Sequence, residues 1–160
     1  MTILFVCTGN SCRSPMAEAI LRNKLGQQNL QDIRVISAGL AAEDGFPAHP
    51  LAVGVCLNHG IKLNNHRSRR MTPERMQESE LILCMTESQV RLLRELYPEE
   101  ASKIHLLKLY GTHELLSERE VADPIGADAF GYESCFQELQ SEVERILPIL
   151  RREIRKEKRS

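Results

Sequence analysis

The apolar run Ile3-Leu4-Phe5-Val6 ends in Cys7-Thr8-Gly9-Asn10-Ser11-Cys12-Arg13-Ser14, and Pro15-Met16-Ala17-Glu18-Ala19-Ile20-Leu21 follows at once. A short run of β-formers closed by a polar loop suits a buried strand. Ser14 at an N-cap and Pro15 at the first helical position signal a helix start. Strand, short loop and fresh helix N-terminus in succession open an α/β unit. Such a turn brings loop N–H groups and the unpaired N–H groups of a first helical turn to one point, where a phosphate-sized anion can sit.

The side chains of this loop add chemistry to that geometry. Arg13 offers a planar fork of donors that can grip two oxygens of the anion. The same positive field favours the thiolate of Cys7, the nucleophilic form, beneath the bound group. Thr8, Gly9, Asn10, Ser11, Cys12 and Ser14 complete the wrap. Gly9 permits the positive φ that a tight anion-wrapping loop needs. Asn10 tolerates the same region and can brace the loop with its amide. Ser14 is expected to give its hydroxyl to the Cys7 sulfur, to cap the helix, or to do both. A sulfur nucleophile under an oxyanion cup is the chemistry of a cysteine-dependent phosphatase. The Cys-x5-Arg spacing alone is common, so its weight comes from the strand before it and the Ser-Pro after it.

A chain of 160 residues suits one domain, here 1–160, with a continuous core. A net charge of −1 gives no reason to expect nucleic acid or a membrane surface. No run approaches the roughly 18 apolar residues of a spanning helix. The first apolar run is too short, and lacks the basic lead, for a signal peptide, so a cytoplasmic location is expected. The cysteines number five, at 7, 12, 56, 84 and 135, which argues against a secreted disulfide framework. Cys56, Cys84 and Cys135 lie in apolar surroundings and are expected in the core. Cys7 and Cys12 have no second pair for zinc and an arginine beside them, so neither a metal nor a cofactor is expected.

Further strands are expected at 33–36, 80–85 and 104–107, with helices at 14–25, 50–59 and 88–96, the last burying Val90, Leu93 and Leu96. Thr72-Pro73-Glu74 starts a short helix. Ser37-Ala38-Gly39 stops the second strand, 112–122 is a mobile surface segment and Asp123-Pro124-Ile125-Gly126 is a turn. A long helix is expected from about Tyr132, burying Leu139, Val143, Ile146, Leu147 and Leu150, with a kink at Pro148. This alternation implies parallel strands with crossover helices. The basic stretch with His66, Arg67, Arg69 and Arg70 is a solvated connection or a lip of the cleft. The last ten residues hold six Lys or Arg, which suits a frayed solvated helix end or a dock for acidic partners.

The string from Val6 to Glu18 resembles the signature of the low-molecular-weight protein tyrosine phosphatase family. The resemblance continues through Ser37-Ala38-Gly39, Asn58-His59-Gly60-Ile61, His66-Arg67-Ser68-Arg69 and Asp123-Pro124. It implies a single α/β domain with a four-stranded parallel sheet flanked by helices and the phosphate loop at the C-terminal edge of strand one. It also implies a metal-free, two-step reaction on phosphorylated proteins, with inorganic phosphate or other oxyanions able to enter the loop. Cys7 then attacks phosphorus, Arg13 and the loop N–H groups stabilise the charge, and Asp123 is the general acid and later the base. His66 matches a position that supports Asn10, whereas His59 has only packing or a helix C-terminus to recommend it. Cys12 matches a partner for a reversible, protective disulfide with Cys7.

Substrate class follows from where the chain departs from the phosphotyrosine pattern. Ile125-Gly126 after Asp-Pro, and Ala42 before Gly45, stand where aromatics would clamp a phenol ring. Ser11 puts a small hydroxyl where tyrosine-type members carry a branched aliphatic. Phosphoarginine is therefore favoured over phosphotyrosine, with Phe46, Phe130 and Tyr132 as side chains able to rebuild an aromatic wall. Thioredoxin-coupled arsenate reductases share the loop string but need two relay cysteines in a mobile segment. Cys84 sits in a strand-like run and no cysteine follows until Cys135, so that reading is disfavoured.

Overall fold

The computed structural model describes every residue except Gln31, Lys158 and Ser160. The strands are β1 (Thr2–Cys7), β2 (Arg34–Gly39), β3 (Leu81–Cys84) and β4 (Ile104–Leu106), and the helices α1 (Arg13–Gln27), α2 (Pro50–Asn58), α3 (Pro73–Glu78), α4 (Glu87–Leu96) and α5 (Ala129–Glu157). The strands form one sheet in the order β2-β1-β3-β4, parallel throughout. β1 is central, and Ile3 to Val6 are fully buried on both faces, which is why the run reads as continuously apolar.

Alternation along β1 divides the core. Ile3 and Phe5 join a cluster with Met16 and Ile20 of α1, Cys56 of α2 and Phe136, Leu139, Val143 and Ile146 of α5. Leu4 and Val6 turn the other way, to Met76 of α3, Leu93 of α4, Ile82 and Ile104. Helices thus cover both faces, and the C-terminal ends of β1, β2 and β3 share one edge. Among the described residues no helix is long and apolar enough to cross a membrane.

Several boundaries differ from the sequence expectation for identifiable reasons. α1 begins at Arg13 with Cys12 as its cap residue, so Ser14 is inside the first turn and is not the N-cap. The turn closes early because Met16 N–H donates to the Cys12 carbonyl at 3.1 Å. β2 continues through Ser37-Ala38-Gly39, since Phe5, Val6 and Cys7 pair with all three. On α4, Leu96 is 60% exposed. Tyr97, one turn beyond Leu93, packs against the cluster in its place. α5 starts at Ala129, three residues before Tyr132, because the Asp128 carboxylate accepts the Gly131 N–H at 3.1 Å. The helix runs through Pro148 to Glu157. The basic end is helical as far as Glu157, and Lys158 and Ser160 lie outside the described residues.

Candidate active site

Cys7 ends β1 and Arg13 begins α1, so residues 8–12 cross the sheet edge as a closed loop. The Cys7 sulfur lies 2.8 Å from the Ser14 hydroxyl, and the Asn10 N–H donates to it at 3.3 Å. The Asn10 N–H is a donor to the sulfur, and the Ser14 hydroxyl is placed where it can donate to a thiolate. Ser14 is free for this contact because Cys12 occupies the cap position.

Asn10 is the keystone of the loop. It is fully buried and has φ of 52°, the left-handed region that Gly9 and Asn10 were both expected to tolerate. Its Nδ2 donates to Ser14 Oγ at 2.9 Å and to Ser37 Oγ at 3.0 Å, and its Oδ1 accepts the Arg69 N–H at 2.9 Å. Its carbonyl lies 2.8 Å from His66 Nε2. A carbonyl only accepts, so Nε2 holds the proton there. Burial holds the His66 imidazole below the usual histidine range, against the pull of that carbonyl and of Glu18. Glu18, itself buried, accepts the Ser37 hydroxyl and pairs with Arg22. The basic stretch around His66 therefore braces the loop from behind, and its Arg69 carbonyl also accepts the Gly39 N–H at 2.8 Å.

The acid arrives from the far end of the chain. Arg13 Nη1 donates to the Val121 carbonyl at 3.0 Å, and Nη2 lies 3.3 Å from Asp123 Oδ2. Asp123 Oδ1 accepts the Ile125 N–H at 3.0 Å, so one carboxylate both starts the Asp-Pro turn and reaches the arginine. Its side chain keeps 43% of its surface exposed, at the rim of the loop. The segment 112–122, read from sequence as surface, is tied down at its end: Val121 is fully buried and its N–H donates to the Met85 carbonyl at 2.9 Å, while Glu120 accepts the Glu87 N–H at 3.3 Å and Arg119 pairs with the Glu87 carboxylate at 2.6 Å.

Cys7, Arg13, Asp123, Asn10, Ser14 and His66 are thus gathered, while Thr8 and Gly9 are exposed on the outer side of the loop. The Ser11 hydroxyl and the Tyr132 hydroxyl flank the Cys12 sulfur at 3.6 and 3.4 Å. Burial pushes the Cys12 thiol above the usual cysteine range. All five cysteines are free and buried, and burial raises Cys56 and Cys135 to about 12. Cys84 ends β3 with no exposed surface. His59 packs on Phe136, with ring centroids 4.1 Å apart, and bonds Glu133 at 2.7 Å, joining α2 to α5. Among the described residues no three His, Cys, Asp or Glu side chains gather as a metal site.

The family model for low molecular weight phosphotyrosine protein phosphatase matches residues 2–160. The chain belongs to that family. Its members named as protein-tyrosine and protein-arginine phosphatases are hydrolases of phosphorylated residues. The chain is 36% identical over 150 residues to a probable low molecular weight protein-tyrosine-phosphatase, EpsP, of Ralstonia nicotianae, covering 94% of this chain and 96% of that one. It is 35% identical over 159 residues to a protein-arginine-phosphatase of Bacillus subtilis, covering 99% and 100%. A solved structure of YwlE arginine phosphatase, a cysteine-to-serine mutant with a phosphorylated active-site serine, superposes with a TM-score of 0.88 at 32% identity, covering 94% of this chain and 96% of that one.

Sequence reasoning missed parts of this phosphatase's loop support. Gly39 appeared as a strand stop and within a family motif, with no role in the loop, and neither Gln89 nor Val121 was singled out. Gly39, at a strand end level with Cys7, was open to discovery from the parallel register. Gln89 and Val121 depend on contacts across 81 and 108 residues, which no local pattern encodes.

Proposed function

We propose that this phosphatase hydrolyses phosphorylated protein side chains through a phosphocysteine at Cys7, and that it prefers phosphoarginine to phosphotyrosine. The first half is supported by one arrangement: a sulfur contacted by Ser14 and the Asn10 N–H, with Arg13 and Asp123 joined at the rim. In this scheme the Cys7 thiolate attacks phosphorus as the bond to the leaving nitrogen or oxygen breaks, and Asp123 gives that atom its proton. Arg13 and the loop N–H groups stabilise the equatorial oxygens. Water then attacks phosphorus, the S–P bond breaks, the Asp123 carboxylate takes the proton of the water, and inorganic phosphate leaves. The phosphorylated serine in the YwlE mutant is the analogous adduct in a relative.

The preference rests on what surrounds the rim. Ile125 is aliphatic and 61% exposed, while Ala42 is buried and offers no face to a ring. Tyr132 is fully buried, stacked on His49 with centroids 5.0 Å apart, so it supplies no exposed ring. The Ser11 hydroxyl leaves polar room, and the Asp123 carboxylate can pair with a guanidinium. Phosphotyrosine is the second reading, favoured by the EpsP relatives and by Phe46 and Phe130, whose rings are exposed. Turnover of matched phosphoarginine and phosphotyrosine peptides, with Cys7→Ser as control, decides between them. The expected result is faster release from the phosphoarginine peptide and none in the control. Faster release from phosphotyrosine reverses the preference, and release by Cys7→Ser removes the phosphocysteine.

A further inference from the structure

The network under the phosphate loop holds Asn10, and the Ala41 N–H holds the carbonyl of Thr8, the first residue after the nucleophile, at 2.9 Å. The Thr8 side chain is held from elsewhere. Its hydroxyl accepts a hydrogen bond of 3.2 Å from Nε2 of Gln89, a residue of α4 that keeps only 4% of its surface exposed. Gln89 Oε1 accepts the N–H groups of Met85 at 3.0 Å and Thr86 at 3.1 Å. Part of this is helix capping, because Thr86 and Gln89 form a reciprocal capping box. A capping box requires only the bond to the cap residue's own N–H. The bonds to Met85 and Thr8 go beyond it.

Those extra bonds close a circuit. Thr8 is tied to Gln89, Gln89 to Met85, the Met85 carbonyl to the Val121 N–H, the Val121 carbonyl to Arg13, and Arg13 is the far end of the same loop. Asp123 hangs on this circuit through Arg13 and through Val121, two residues before it in the chain. We propose that Gln89 is a positioning residue of the reaction: it clasps the start of the phosphate loop to the segment bearing Asp123 and so fixes the acid relative to the Cys7 sulfur. This rests on the roles of Cys7 and Asp123 given above. The loop cannot slide against the acid segment without leaving a buried amide unpaired, and such a group is costly to strand.

The test uses Gln89→Leu, Thr8→Val, their double variant, and Thr86→Ala, which disturbs the capping box but not the clasp. The readouts are kcat/KM on p-nitrophenyl phosphate, whose leaving group departs unaided, and on phenyl phosphate, whose leaving group needs a proton. A displaced acid should cost about tenfold on phenyl phosphate and about threefold or less on the nitrophenyl ester. Gln89→Leu and Thr8→Val should each show that split, and the double variant should be no worse than the poorer single one, since both remove the same bond. Thr86→Ala should lower Tm and leave the ratio of the two esters at the wild-type value. An unchanged ratio in Thr8→Val, or additive losses in the double variant, overturns the clasp. If Gln89→Leu does not fold, Thr8→Val, at an exposed position, decides alone. Wild type that turns over neither ester removes the phosphatase reading and the clasp with it, whereas active wild type with unchanged ratios removes only the clasp.

Discussion

A Cβ built at Gly39 would lie 2.7 Å from the carbonyl oxygen of Thr8 and 2.9 Å from the backbone nitrogen of Asn10, so any side chain there must displace the phosphate loop. Gly39→Ala should therefore lower stability by about 1–3 kcal/mol, the usual cost of overpacking. It should also weaken competitive inhibition by inorganic phosphate by about tenfold, because small displacements of preorganised donors are felt directly. Urea titration and a phosphate inhibition constant check the two halves, and an inhibition constant like that of wild type would contradict the steric argument. One contact at residue scale was readable in advance: the Ser14 hydroxyl lies 2.8 Å from the Cys7 sulfur. The division of labour within the loop was not. Gly9 has an ordinary Cβ environment, its nearest neighbour being Ser11 Oγ at 3.6 Å, while Asn10 takes the left-handed turn. Asn10 can do so because its amide makes three bonds from that conformation, a gain no glycine offers.

At the scale of elements, the connection 62–72 is the clearest case of structure adding meaning to a bland stretch. Its charges suggest solvent, yet it pairs with the end of β2 through Gly39 and Arg70 and carries His66 to the Asn10 carbonyl. A sequence shows charge and cannot show which backbone groups a connection returns to the loop, so a solvated strand and a brace look alike until the fold is known. His66 gives this brace a pH dependence with a defined sign. Burial lowers its pKa in the folded chain, aided by Arg69 and Arg67 and opposed by the Asn10 carbonyl and Glu18. The unfolded chain therefore binds the proton more readily. The contribution of His66 is complete above its unfolded value of about 6.5 and is lost as pH falls through that value toward the lower folded one. The urea midpoint should accordingly drop between pH 8 and pH 5, and drop less in His66→Gln, which does not titrate and can still donate to Asn10. His105, also lowered by burial, leaves a residual slope of the same sign in the variant. Equal slopes in the two proteins would show that His66 is not charged on unfolding in this range.

At the scale of the whole molecule, the site is assembled from both ends of the chain: β1 and α1 supply the loop, and 121–123, just ahead of α5, supply the acid. α1 and α5 pack together over one face of the sheet, so the elements that flank the site share one core. The apolar periodicity foretold this layering, since β1 had to be covered on both sides. It could not foretell that Arg13 would join the two regions, because that bond spans 110 residues. The consequence is thermodynamic. An anion bound by the loop should stabilise the entire domain, by about 2.7 kcal/mol at a hundredfold excess over its dissociation constant. For a domain of this size that corresponds to a rise in Tm of roughly 5–10 °C. Calorimetry in phosphate against chloride at matched ionic strength should show one transition that moves as a unit. Arg13→Met, which removes the fork that grips the anion and the tie to Val121, should lose most of the rise, while Cys7→Ser, which keeps the loop amides and Arg13, should retain it. A phosphate-dependent rise that survives in Arg13→Met would place the anion elsewhere on the molecule, and two separable transitions would mean that the phosphate loop and the acid segment do not fold as one unit.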